Sequence, residues 1–323
     1  MADAASAQLE RSRWDVIAVA IAAGIVAAVQ VGKVPPLIPL LQAELGLSLV
    51  AAGWLASLFN LTGALFGVMG GATADRLGAQ RVLMAGLGGM AVAGIGGAMA
   101  TDPVWLLSFR VLESIAILSC VVTAPRLVVA AATPCQRSLA MGAWGSFMPI
   151  GMALALLGAP SIATRFGWQG VWLAAAGLAV ISLAAVAWVT GAKRWPQTPG
   201  TGEVLPWRTL ARAAWRPGPM IMSFCFALYA VQFFAVASWL PTYLIEVLGY
   251  TPGRAGVATA VVVGANALGN LLGAVLLHWG VRRWWLILLA FVMMLICGGG
   301  IFSAAMPVIW KLPLAFAFNF FGG

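Results

Sequence analysis

The chain has 323 residues, 62% of them apolar and 8% charged, with 38 glycines and a formal net charge of +9. No water-soluble core hides that much apolar surface. The bases sit at the flanks of apolar runs rather than forming a face for nucleic acid. Runs of the ~20 residues that cross a bilayer recur along the chain, and they are continuous rather than alternating, so they read as helices. The expected fold is an all-α membrane protein with nine full spans and the start of a tenth.

In chain order, residues 1–13 are polar and carry no cleavage signal after a short apolar core, so they read as a retained N-terminus. Span 1, Val16–Leu41, holds Lys33 within "VQVGKVPPLIP". A charge at bilayer depth is costly unless it faces a cavity or a partner, which makes Lys33 a substrate-binding candidate. Gln30, three residues earlier, shares its helix face. Pro35, Pro36 and Pro39 interrupt the backbone ladder beside it. The alternative is a lysine that snorkels to the interface.

Span 2, Leu45–Ala74, offers Asn60 as a softer polar candidate. Its glycines Gly63, Gly67 and Gly71 are spaced for close packing on a neighbouring helix. The stretch "GGATADRLGAQRVLM", Gly70 to Met84, follows as a short charged gap before span 3, Val82–Thr101. Gly78 permits a tight reversal. Asp75 is expected to pair with Arg76, Arg81 or Arg137, or to sit at a positive helix end. Such contacts suit a latch that opens and closes, although charges that merely set topology would look the same.

Span 4, Val104–Ala130, contains Arg110 and Glu113 three residues apart. Two cations, Lys33 and Arg110, facing one cavity would favour an anionic solute. Glu113, its burial balanced by Arg110, would be the proton-coupling group. A permanently closed Arg110–Glu113 pair is the competing reading. Spans 5 and 6 follow at Ser138–Thr164 and Phe166–Ala192, and then comes the longest polar stretch, rich in Pro, Gly, Arg and Trp.

Spans 7 to 9 read as Pro217–Ile245, Ala255–Val281 and Trp284–Trp310, with Gln232, Asn266 and Asn270 as buried amides and His278 as an interfacial residue. A shift of 202 carries Gln30 onto Gln232, Pro39 onto Pro241, Glu44 onto Glu246, Gly78 onto Gly280 and Arg81 onto Arg283, so the halves read as parallel repeats. In the second copy Asp75 has become Leu277. After Lys311 only "LPLAFAFNFFGG" remains, too short for a span. The expected organisation is an N-terminus over 1–13, a six-helix bundle over 14–191, a linker over 192–218 and an incomplete second bundle over 219–323. Of the 18 Lys and Arg, Arg165, Arg254 and Lys311 fall on one side, Lys33 and Arg110 within spans, and the remaining thirteen with the N-terminus. That bias puts the N-terminus in the cytoplasm of a plasma (inner) membrane protein.

The residues Gly71, Ala74, Asp75, Arg76, Gly78 and Arg81 form G-x-x-A-D-R-x-G-x-x-R, which resembles the signature loop of the major facilitator superfamily. The chain departs from the family at Thr73, where Leu is usual, and at Ala79 and Gln80, where bases are common. "RVLESIA" in span 4 is similar to the family's R-x-x-Q-G string, with Pro125 and Arg137 following where that pattern places them. The resemblance implies two six-helix bundles and alternating access. It also implies a latch of Gly71, Asp75, Arg76, Gly78, Arg81 and Arg137 that joins the bundles on the cytoplasmic side, with part of its partner on span 11. In span 5 Met148–Pro149 replaces the G-P of drug–proton antiporters, while W-G-x-x-x-P-x-G resembles cyanate-permease-like importers of small anions.

The expected function is therefore secondary transport of a small anion, with Lys33, Arg110, Gln30, Gln232 and Asn60 binding substrate and Glu113 with Arg110 coupling a proton by symport. Proton-coupled export of drugs or metabolites is the alternative. No H-E-x-x-H, G-x-S-x-G or nucleotide-binding string points to an enzyme or an ATP-driven pump. The expected partners are a small solute, a proton and the bilayer, with no metal, cofactor or nucleic acid, and the protein is expected to act as a monomer.

Overall fold

A computed structural model describes residues 12–192, 215–303 and 305–323, and it is helical throughout. We label the helices α1 (Trp14–Gly32), α2 (Ile38–Leu45), α3 (Leu49–Leu77), α4 (Ala79–Ala98), α5 (Pro103–Ala131), α6 (Arg137–Gly145) and α7 (Phe147–Ala192). The second half supplies α8 (Pro217–Glu246), α9 (Pro252–His278), α10 (Arg283–Phe302) and α11 (Val308–Gly322). Eight stretches among the described residues are long and apolar enough to span a membrane. One of them, Arg137–Val189, reverses at Gly167, whose φ of 67° and ψ of 178° break the helix, so it supplies two crossings. Nine full spans result among the described residues, as the sequence predicts.

The ninth crossing ends earlier than expected. Helix α10 stops at Phe302, and the next helix starts at Val308 rather than beyond Lys311. Pro307 at the N-cap explains the break, because it lacks the N–H that would continue the ladder. Most of the expected linker and N-terminus lies outside the described residues.

The helix ends follow local chemistry. Asp102 accepts from Trp105 N at 2.9 Å, with Pro103 in the first turn of α5. Ser48 caps α3 through Ala51 N at 3.1 Å, and Thr251 caps α9 through Arg254 N at 3.4 Å. These two caps are repeat mates, and each follows a left-handed glycine, Gly46 (φ 63°) or Gly249 (φ 66°). At the other end of the same helices Gly78 (φ 87°) and Gly280 (φ 90°) make matching turns. The spacing is 203 residues at the first pair and 202 at the second, so α9 is one residue shorter than α3 between its turns.

Small residues bring the helices together. A Cβ on Gly32 of α1 would come within 2.8 Å of the Met152 Cα, and one on Gly86 of α4 within 2.8 Å of the Ala116 carbonyl oxygen on α5. The halves meet where Ser146 Oγ donates to the Ala267 carbonyl at 3.2 Å and where Phe59 of α3 meets Phe234 of α8 edge-on at 5.5 Å. The expected close packing at Gly63 and Gly67 is absent. A Cβ at either position meets nothing within 4 Å, because that face of α3 is exposed. Large apolar side chains face outward along the spans, as lipid requires.

Gly86→Val is expected to destabilise by ~1–3 kcal/mol through overpacking. Gly177→Val, whose Cβ meets nothing within 4 Å, should leave stability unchanged. Thermal unfolding of the two variants in one detergent checks the contrast.

Candidate functional site

Helix α1 ends at Gly32, and the backbone passes through the turn Pro35–Leu37 before α2. Proline cannot donate a backbone N–H, so the last turn of α1 presents free carbonyls. Lys33 sits at this break and is fully buried. Its Nζ donates to Gln30 Oε1 at 2.7 Å and to Glu113 Oε1 at 2.5 Å, and lies 4.6 Å from the centre of the Trp172 ring.

Glu113 and Arg110 project from one face of α5, as residues three apart do. Arg110 Nη1 donates to Glu113 Oε2 at 2.6 Å and to the Gln30 carbonyl at 2.8 Å, while its Nε donates to the Leu55 carbonyl of α3 at 2.9 Å. Gln30 Nε2 completes the cluster by donating to the Ala175 carbonyl of α7 at 3.0 Å. Each oxygen of Glu113 thus serves one cation. Lys33, Arg110 and Glu113 are exposed by 0%, 1% and 1%, so the cluster holds two cations against one acid within the first six spans. Arg110 Nη2 is buried without a hydrogen-bond partner.

Four of the expected site residues therefore meet, and two do not. Asn60 lies on the exposed face of α3 beside Phe59, and no hydrogen bond ties it to the cluster. Gln232 reaches Met294 Sδ at 3.7 Å, not Gln30 or Lys33. Its counterpart Gln30 instead accepts from Lys33 and donates to the Ala175 carbonyl. The amides of α9 act as helix ties: Tyr229 Oη donates to Asn266 Oδ1 at 3.1 Å, and Asn266 Nδ2 donates to the Asn319 carbonyl at 3.0 Å. Sequence reasoning missed Trp172, Ala175 and Leu55. A tryptophan in an apolar run and two backbone carbonyls leave no mark in composition.

Asp75 pairs with Arg126 of α5 rather than with Arg76, Arg81 or Arg137. It lies in the last turn of α3, at the negative rather than the positive helix end, and the basic neighbour on α5 offsets that dipole. The Arg126 side chain passes close to Gly71, where a Cβ would stand 3.3 Å from Nη2. Arg76 and Arg81 are exposed on either side of the Gly78 turn, and Arg137 starts α6. Among the described residues no group of His, Cys, Asp and Glu could hold a metal ion.

The sequence profile described as Major Facilitator Superfamily matches residues 19–323. The chain is 26% identical over 237 residues to the hexuronate transporter of Bacillus subtilis, covering 69% of this chain and 54% of that protein. It is 24% identical over 262 residues to the probable sulfoacetate transporter SauU of Cupriavidus necator (74% and 58%). It is also 26% identical over 172 residues to the puromycin resistance protein pur8 of Streptomyces alboniger (53% and 34%). The chain thus spans little more than half the length of the first curated relatives it matches. Among solved structures, the proton:xylose symporter XylE bound to 6-bromo-6-deoxy-D-glucose superposes with a TM-score of 0.73 at 15% identity, covering 95% of this chain and 78% of that one.

Removing Glu113 strands two buried cations, whereas removing Lys33 leaves a neutral Arg110–Glu113 pair. Glu113→Ala is expected to cost ~3–5 kcal/mol and Lys33→Met clearly less. Asp75→Asn, at a half-exposed pair, should cost under ~1 kcal/mol. Melting temperatures of the three variants in detergent check this order, and a reversal of the first two would refute the charge argument.

Proposed function

Because the chain belongs to the Major Facilitator Superfamily, we propose that it is a secondary active transporter that carries a small anion with a proton, by alternating access. The observation that carries this reading is the buried Lys33–Glu113–Arg110 cluster, whose cations outnumber its acid. Buried charge of one sign attracts a solute of the other, because the low-dielectric interior leaves no water to screen it. Two relatives named for carboxylate or sulfonate solutes, hexuronate and sulfoacetate, support the anionic class. Their transporter names support transport over catalysis.

In this reading Lys33, Arg110 and Gln30 meet the solute once the halves part, and Glu113 carries the proton. The Asp75–Arg126 pair lies within the first bundle and is weak enough to open, so the latch of this reading, Gly71, Asp75, Arg76, Gly78, Arg81 and Arg137, engages the second bundle when Asp75 leaves Arg126. The basic flanks support a cytoplasmic N-terminus in a plasma membrane protein that works as a monomer. The segment 192–218 would then link a first bundle over 14–191 to a second over 219–323. The puromycin resistance relative favours a second reading, proton-driven export.

Proteoliposomes carrying the chain separate the two. An inward proton gradient should accelerate entry of labelled sulfoacetate, and Lys33→Ala or Arg110→Ala should slow it at least ~10-fold, the equivalent of ~1.4 kcal/mol. A gradient that drives puromycin out and leaves anion entry unchanged would replace import with export.

A further inference from the structure

The interior of the first six spans holds a fixed count of charge. Lys33 and Arg110 are the buried cations among the described residues, and Glu113 is the buried acid. The charged groups facing Glu113 are Lys33 from α1 and Arg110 from α5. Helix α3 contributes the Leu55 carbonyl to Arg110, and α7 contributes the Trp172 ring and the Ala175 carbonyl. With Glu113 ionised the cluster is one positive charge in excess. Arg110 Nη2 is the cluster donor without an acceptor.

We infer that this cluster sets the charge of its solute: a monoanion while Glu113 is ionised, and a dianion only when Glu113 takes a proton. The inference rests on the transport reading above and adds the charge of the solute to it. A monoanion against Arg110 Nη2 brings the buried sum to zero. A dianion would leave a buried negative charge, which is as costly as the positive one it replaced.

Protonation changes the sum by one. A solvent proton adds to a carboxylate oxygen of Glu113 to give the neutral acid, and no other bond forms or breaks. Both oxygens already accept from a cation, and an oxygen that gains hydrogen at that position loses its cation partner. Arg110 stays in place through its bonds to the Leu55 and Gln30 carbonyls. Lys33 keeps only Gln30 Oε1 and the Trp172 face, and its long stem lets it swing. The released ammonium and Arg110 Nη2 then confront the solute with two positive charges.

Calorimetry on the full 323-residue chain tests this with glucuronate, a monoanion, and sulfoacetate, a dianion. Each is titrated at one pH in two buffers of different ionisation enthalpy. Sulfoacetate should bind with uptake of about one proton and glucuronate with none. Sulfoacetate affinity should fall as pH rises, by up to ~10-fold per unit, while glucuronate affinity stays flat. Glu113→Gln should bind sulfoacetate without proton uptake at any pH and prefer it over glucuronate at least ~10-fold more than the native chain does. Sulfoacetate binding without proton uptake by the native chain, or an unchanged preference in Glu113→Gln, would overturn the inference and leave anion transport standing. Binding of neither anion would overturn both. If Glu113→Gln does not fold, the proton count of the native chain alone decides.

Discussion

A single carboxylate holds the interior of the first six spans together. Glu113 gives one oxygen to Lys33 and the other to Arg110, so α1 and α5 are joined through it. Arg110 then reaches the backbone of α1 and α3, and Gln30 reaches that of α7. Ammonium and guanidinium groups only donate, so in a lipid-surrounded core they must find acceptors on the protein. The acid, one amide and two main-chain carbonyls meet that need for every donor group but Arg110 Nη2. The proline-broken end of α1 supplies one of those carbonyls, which ties an irregular backbone directly to the charge it serves.

The two halves share a frame and differ in what fills it. Turn glycines with left-handed φ recur at both ends of α3 and α9, and hydroxyl caps recur beside one of them. Inside that frame the first half carries ions, and the second carries amides that bind helix to helix. Asn266 and its partners join α8, α9 and α11 without any net charge. Among the described residues, buried charge is thus concentrated in the first half, while hydrogen-bonded amides tie the helices of the second.

Much of this was legible before any coordinates. Span positions followed from uncharged runs, and the Gly78 turn from the need for a positive φ. Lys33, Gln30, Arg110 and Glu113 stood out because polar groups are rare at that depth. What the sequence left hidden shares one cause: it depends on tertiary contact between groups with no distinctive local signal. The Leu55 carbonyl and the Trp172 ring are of this kind. The Asp75–Arg126 pair is of the same kind, because only the packing of α5 beside α3 brings that arginine to Asp75. The small-residue spacing in α3 misled for the complementary reason. Gly63 and Gly67 allow a close neighbour, and allowing one does not place one there.

The Lys33–Glu113 contact also has a history in time. The two residues lie 80 positions apart in the chain, and a ribosome adds about 5–20 residues per second. The lysine therefore emerges ~4–16 s before its counter-ion exists, at the rates just given. During that interval the buried pair cannot form, and a lone ammonium at bilayer depth is costly. Arg110, by contrast, is born three residues ahead of the same carboxylate and enters already neutralised. The order of synthesis thus separates the two cations: one meets its acid at once, and the other only after the fourth span is made.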